Sequence, residues 1–328
     1  MKITENMTLK EAVGQSEFSC YSQFLLWCKP SSWEHLGPLP LSTLRQPNGY
    51  NPVLEGLNHV INLQNRGVKV NWQYWESKDV EKEPDRADTI LLFLPGKPNA
   101  PFVLLLPGGG YQSVCTCLEG LPAAVKLNDA GYNAFVISYR VGQEALMPKP
   151  IDDIKQALRF ILNNTSQFQV DKNYALMGFS AGGHLAAECA TTNFGVVKDG
   201  LPAPSAMLLC YPAIDVRLIG GNSLADRMIK SLTIQNDRLE EYCVNLHLDK
   251  NYPPTCIWQC EDDEMLSFSN YERMCQALSD AKVPYTAFSF PTGGHGMAKP
   301  HPPEQDMWTE RMLEFLKNIL GEVKNEQI

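Results

Sequence analysis

Ten cysteines are present but no Cys-x-x-Cys pair occurs among them, which excludes a zinc ribbon and a dithiol redox centre. Nor is there a run of 18 apolar residues, and Met1-Lys2-Ile3-Thr4-Glu5-Asn6 opens without the apolar core of a signal peptide. The expectation is a cytoplasmic protein whose scattered thiols stay reduced and act mostly as small apolar fillers, with no membrane partner. Basic residues are in the minority, 28 Lys and Arg against 37 Asp and Glu. The resulting formal charge of -9 and pI near 5.2 argue against nucleic acid or an anionic membrane surface as partner. No Gly-Lys-Ser/Thr and no complete Gly-x-Gly-x-x-Gly is found, so a phosphate cradle is not expected. No metal and no cofactor are expected, and a homo-oligomer stays open.

Forty-four per cent hydrophobic and 20% charged residues supply a substantial core. Along the chain, apolar runs alternate with amphipathic stretches. Ile90–Leu94, Phe102–Leu106, Asn133–Tyr139, Tyr174–Met177, Ala206–Cys210, Thr255–Cys260 and Tyr285–Phe290 read as strands, preceded by a strand at Val68–Trp75. Leu121–Asp129, Pro150–Ile161, Gly183–Ala190 and Glu304–Leu320 read as helices between or after them. Such alternation predicts an α/β fold with a mostly parallel sheet and helices on both faces. Ligands then bind beyond the carboxyl ends of the strands. The expected catalytic unit spans residues 86–328. Residues 1–85 form an extension with helical stretches at 8–29 and 53–66 around a proline-rich link from Pro30 to Pro52. That extension is either a packing layer or a cap or dimer arm walling the substrate pocket. Residues 216–250 also read as helical and are a candidate lid.

The chemistry concentrates in Gly178-Phe179-Ser180-Ala181-Gly182. Gly-x-Ser-x-Gly after an apolar run and before an alanine-rich stretch spells a strained strand-to-helix turn that exposes a serine hydroxyl. Ser180 is thus the candidate nucleophile, the bland alternative being a serine that caps the helix. A serine needs a histidine base and an acid to orient it, in the chain order Ser, acid, His. Of six histidines, His247, His295 and His301 follow in that order. His295, flanked by glycines in Gly293-Gly294-His295-Gly296 past a strand end, is the preferred base; His301 stands between prolines as the reserve. His184 comes too early and reads as a packed histidine. The run Glu261-Asp262-Asp263-Glu264 follows a strand directly, and Asp263, with Met265 and Leu266 beyond it, is preferred over Asp262 as the orienting acid. The amide of Ala181 is one expected oxyanion donor. Others are expected from Pro107-Gly108-Gly109-Gly110-Tyr111, where three glycines let backbone approach a ligand. Tyr111, Tyr211, Trp258 and Met297 flank these motifs; Tyr111, Tyr211 and Met297 are candidates for a substrate pocket.

Pro107-Gly108-Gly109-Gly110-Tyr111, Gly131-Tyr132-Asn133-Ala134-Phe135-Val136, Ser138-Tyr139-Arg140, the serine motif with Gly183-His184-Leu185-Ala186, and Gly293-Gly294-His295-Gly296 together resemble the α/β-hydrolase superfamily. Within it they are most similar to the bacterial acetylxylan esterase and feruloyl esterase-like branch, near the hormone-sensitive-lipase-like esterases. The resemblance spans roughly residues 90 to 320. It implies Ser180 as nucleophile, Asp263 as acid, His295 as base, and the amides of Gly109, Gly110 and Ala181 at the oxyanion. Many relatives spell the oxyanion loop His-Gly-Gly-Gly, whereas this chain has Pro107 first. The implied activity is hydrolysis of short-acyl esters of a carbohydrate or other small alcohol through an acyl-enzyme. A peptidase or acyltransferase on the same triad, or a binding protein that kept the fold, are the alternatives.

Overall fold

The structure is a computed structural model and describes residues 2–25, 27–28, 37–142, 146–219, 223–232, 236–296 and 307–323. Met297 and His301 lie outside the described residues.

Thr8 starts the first helix by a reciprocal cap: its hydroxyl accepts from the Glu11 amide while the Glu11 carboxylate accepts from the Thr8 amide. Helix α1 (Leu9–Val13) ends at Gly14, and a 3₁₀ turn at Ser16–Phe18, helix α2 (Ser22–Leu25) and strand β1 (Trp27–Cys28) follow. The single helical stretch expected over residues 8–29 is therefore broken into short pieces that end in a strand, because Gly14 stops the helix before it can propagate. Helix α3 (Pro52–Asn65) has Asn51 as cap, its side chain accepting from the Leu54 amide, and proline in its first turn. The strand expected at Val68–Trp75 shrinks to β2 (Asn71–Trp72), a short antiparallel edge next to β3 (Ile90–Leu94). Between them lies α4 (Ser77–Lys82).

From there the expected alternation holds: β4 (Ala100–Leu106), the two-residue β5 (Ser113–Val114), α5 (Leu121–Asp129), β6 (Asn133–Ser138), α6 (Lys149–Asn163), α7 (Thr165–Phe168), β7 (Val170–Phe179), α8 (Ser180–Glu188) and β8 (Ala206–Cys210). Then come α9 (Ser223–Leu232), β9 (Thr255–Cys260), α10 (Ser269–Asp280), β10 (Tyr285–Phe290) and α11 (Met307–Leu320). The main sheet runs β10-β9-β8-β7-β4-β6-β3-β2. Its pairs are parallel from β10 to β6 and antiparallel beyond. This is the α/β-hydrolase architecture.

Period-2 alternation sends Val103 and Leu105 of β4 to one face and Phe102, Leu104 and Leu106 to the other. The first face is covered by α3, α5 and α11, the second by α6, α8 and α10. Leu57, Val60 and Ile61 of α3 are buried in the same cluster as Leu121, Ala124 and Leu127 of α5. The N-terminal helices thus extend the core outward over α5, at about 1.5–3 kcal/mol per buried large aliphatic side chain. One further link matters for the site. β1 pairs antiparallel with β5, Trp27 opposite Val114 and Cys28 opposite Ser113, just past the triple glycine.

In the 216–250 region, α9 is joined by 3₁₀ turns at Val216–Leu218, Asn236–Tyr242 and Val244–Leu246, with residues 220–222 and 233–235 outside the described set. Met228 and Leu232 of α9 pack in the cluster that holds Tyr111, and Ser231 accepts from the Gln112 side chain at 2.5 Å.

Candidate active site

The carboxyl ends of β4, β7, β8, β9 and β10 deliver five loops to one edge of the sheet. At the end of β7 the chain turns into α8 through Ser180, held at φ 51°. That left-handed backbone costs a non-glycine residue on the order of 1–3 kcal/mol, and close packing enforces it. A Cβ on Gly182 would lie 2.0 Å from the Leu106 carbonyl oxygen and 2.4 Å from that of Pro107, so only glycine lets α8 approach β4 here.

Ser180 Oγ lies 2.9 Å from His295 Nε2, and His295 Nδ1 lies 2.8 Å from Asp263 Oδ2. Asp263 has no exposed side-chain surface and His295 only 7%. An ionised carboxylate can only accept, so Asp263 makes Nδ1 the donor and leaves Nε2 to accept from the serine hydroxyl. The carboxylate is itself fixed by the amides of Met265 and Leu266, each 2.9 Å from Oδ1, and by the Gln259 side chain at 3.2 Å from Oδ2.

The acids on either side of Asp263 grip the histidine loop instead. Asp262 accepts from the amides of Gly294 at 2.8 Å and Gly293 at 3.2 Å, and Glu264 accepts from the amide of His295 at 3.2 Å. His184 is buried inside α8, donating from Nε2 to the Tyr242 carbonyl at 2.8 Å and accepting at Nδ1 from the Tyr111 hydroxyl at 2.7 Å. Burial pulls its imidazole down to about 4. His247 pairs with the Glu240 carbonyl on the surface.

The Pro107–Tyr111 turn is held at nearly every peptide group. The Tyr139 hydroxyl donates to the Pro107 carbonyl at 2.6 Å, and the Cys115 amide to the Gly108 carbonyl at 2.9 Å. The amides of Gln112 and Ser113 donate to the Gly109 carbonyl. The Gly108 amide donates to the Glu119 carboxylate at 2.6 Å. The amides of Gly109 and Gly110 have no acceptor among the described residues, and Ala181 sits in the first turn of α8, where amides lack an intrahelical acceptor. Gly109, at φ 135°, occupies backbone that side chains rarely adopt.

Two expectations are revised. Tyr111 and Tyr211, expected at the substrate pocket, are buried and their hydroxyls are already engaged, Tyr111 with His184 and Tyr211 with Glu119 Oε1 at 2.9 Å. They brace the site from behind: the Tyr211 ring packs edge-on against the His295 ring at 5.1 Å between centroids. Trp258 is likewise fully buried. Met297, the third pocket candidate, lies outside the described residues. Glu119 had no sequence signal, since an acid in an irregular turn matches no motif.

With this geometry in view, the comparisons with known proteins are specific. Residues 91–278, more than half of the chain, match the family described as BD-FAE. Endo-1,4-beta-xylanase B of Butyrivibrio fibrisolvens is 34% identical over 208 residues, 60% of this chain and 32% of that protein. The acetylxylan esterase of Xylanibacter ruminicola is 28% identical over 223 residues, 63% of this chain and 43% of that protein. The chain thus spans less than half the length of either relative. Among solved structures, the acetyl ester-xyloside bifunctional hydrolase from Caldicellulosiruptor lactoaceticus superposes with a TM-score of 0.65 at 25% identity, covering 76% of this chain and 96% of that one. Matched over its strand, elbow and acid-bearing segments, this chain belongs to the BD-FAE family of α/β-hydrolases.

Proposed function

We propose that this protein is a serine carboxylic ester hydrolase that removes short, acetyl-like acyl groups from carbohydrate or other small alcohol esters. The observation that carries it is the continuous Ser180–His295–Asp263 relay, at 2.9 and 2.8 Å, beside glycine amides without acceptors. In this reading Ser180 Oγ attacks the ester carbonyl while His295 Nε2 takes its proton. Charge gathers on the carbonyl oxygen, where the amides of Gly109, Gly110 and Ala181 receive it. The imidazolium is stabilised by Asp263 and hands its proton to the leaving alcohol. A water molecule, deprotonated by the same Nε2, then frees the acid and restores Ser180.

The short acyl group and the sugar alcohol rest on the names of relatives: an acetylxylan esterase and an acetyl ester-xyloside hydrolase. The test is hydrolysis of p-nitrophenyl acetate and octanoate by the wild type and Ser180→Ala, with fluorophosphonate labelling read by mass spectrometry. Label on Ser180, turnover lost in Ser180→Ala and acetate preferred are expected. A folded wild type that neither turns over nor takes the label would sink the reading, and octanoate preferred would sink the short-acyl part alone.

A further inference from the structure

Glu119 is buried beneath the candidate site, 6% exposed, and no Lys or Arg among the described residues pairs with it. Taking a carboxylate out of water without a cation costs several kcal/mol, and an apolar residue of similar volume would pack there without that cost. Its two oxygens are instead divided. Oε2 accepts the Gly108 amide at 2.6 Å, and Oε1 accepts the Tyr211 hydroxyl at 2.9 Å. Burial raises the carboxyl above its ordinary range, while the two hydrogen bonds and the neighbouring His295 pull it back.

The placement is rigid. Glu119 lies on a π-helical turn, Thr116–Gly120, with its amide bonded to the Cys115 carbonyl at 2.9 Å. A Cβ on Gly120 would meet Val136 Cγ1 of β6 at 2.4 Å, so this turn is pressed against the sheet. On the other side, Gly108 touches the nucleophile directly: a Cβ there would lie 2.8 Å from Ser180 Cβ and 2.7 Å from the Phe179 carbonyl oxygen. Engaging the Gly108 amide orients the next two peptide groups, those that carry the Gly109 and Gly110 amides. Through Tyr211 the same carboxyl group reaches the ring that packs on His295.

We propose that Glu119 is a positioning residue for the ester hydrolysis described above. One of its oxygens locks the Pro107–Tyr111 turn so that the Gly109 and Gly110 amides face the developing oxyanion, and the other holds Tyr211 against the base. What the site uses is one acceptor for the Gly108 amide and one polar partner for the Tyr211 hydroxyl, both at full side-chain reach, not negative charge. Glutamine meets both needs with the second hydrogen bond reversed: its carbonyl oxygen takes the Gly108 amide, and its NH₂ group donates to the Tyr211 oxygen. Aspartate keeps the charge but withdraws the oxygens by about one C–C bond, ~1.5 Å.

The proposal rests on the ester-hydrolase reading and is tested with p-nitrophenyl acetate kinetics, the rate of Ser180 phosphonylation and thermal melts for Glu119→Ala, Glu119→Asp and Glu119→Gln. Glu119→Ala is expected to lose on the order of 10²-fold in kcat with KM within about threefold, because misaimed donors forfeit transition-state and not ground-state binding. Phosphonylation should slow in parallel, and kcat should rank Gln above Asp above Ala. Wild-type kcat in all three folded variants would overturn the proposal while leaving the ester reading intact. Asp ranking above Gln would overturn it in favour of a role for charge, and a change confined to KM in favour of a pocket wall. If Glu119→Ala does not fold, the order of Gln and Asp decides alone. A wild type without turnover or label would remove the reading on which the proposal stands.

Discussion

At the scale of single residues, three adjacent acids divide their work by which donor each can reach. Asp263 meets the imidazole, whereas Asp262 and Glu264 meet backbone amides of the histidine loop. Asp263→Asn should lower kcat on p-nitrophenyl acetate by about 10³–10⁴-fold, since an amide cannot hold the required tautomer. Asp262→Asn keeps a carbonyl acceptor and should cost no more than about tenfold; steady-state kinetics of the two variants checks the order. His184 offers a different test, of stability. Its imidazole falls from 6.5 to about 4 on burial, so between those values the unfolded chain holds a proton that the native state does not. Its contribution is present above pH 6.5 and lost as pH falls toward 4, worth roughly 3 kcal/mol over that window. Urea unfolding at several pH values should therefore show a steeper acid-side loss for the wild type than for His184→Gln. Equal slopes would mean that His184 is not kept neutral in the fold.

At the scale of elements, what was legible in the sequence divides by how local its cause is. Ile90–Leu94, Ala206–Cys210 and Thr255–Cys260 are strands with the expected bounds, because strands buried among helices must be apolar or β-branched almost throughout, and the half-exposed edge strand Tyr285–Phe290 matches as well. The bounds of α5 also match, with proline in its first turn. The relay of Ser180, Asp263 and His295 could be picked out because each member ends a strand in a recognisable loop. Residues 8–28 were not legible: their short helices and β1 owe their form to contacts distant in sequence, such as the Leu9 and Lys10 amides on the carbonyls of Leu39 and Gly37. Glu119 and the bracing role of Tyr211 escaped notice for the same reason, since Glu119's partners lie 11 and 92 residues away. The packing of α3 on α5 yields its own prediction. Leu57 is fully buried between them, so Leu57→Ala should cost about 2–5 kcal/mol in chemical denaturation. A cost below 1 kcal/mol would mean that α3 rests on the domain loosely.

At the scale of the whole molecule, the extension and the α/β unit share one apolar cluster that runs from Ile3 through α3 and α5 to the strands of the sheet. Among the described residues no boundary of thin contact separates them, so heat or urea should unfold the chain in a single step, with tryptophan fluorescence and far-ultraviolet circular dichroism changing together. An early transition confined to one probe would identify an extension that melts alone. The pairing of β1 with β5 gives that continuity a mechanical side. The strand next to the Pro107–Tyr111 turn is hydrogen-bonded to Trp27 and Cys28, which precede every strand of the eight-stranded sheet in chain order. A pull on Trp27 and Cys28 would therefore reach the turn beside Ser180 by way of two facing residue pairs, without first crossing the eight-stranded sheet. The β1 strand is a lever on the loop beside Ser180, and a tether or binding event that shifts Trp27 and Cys28 acts on that loop from a distance.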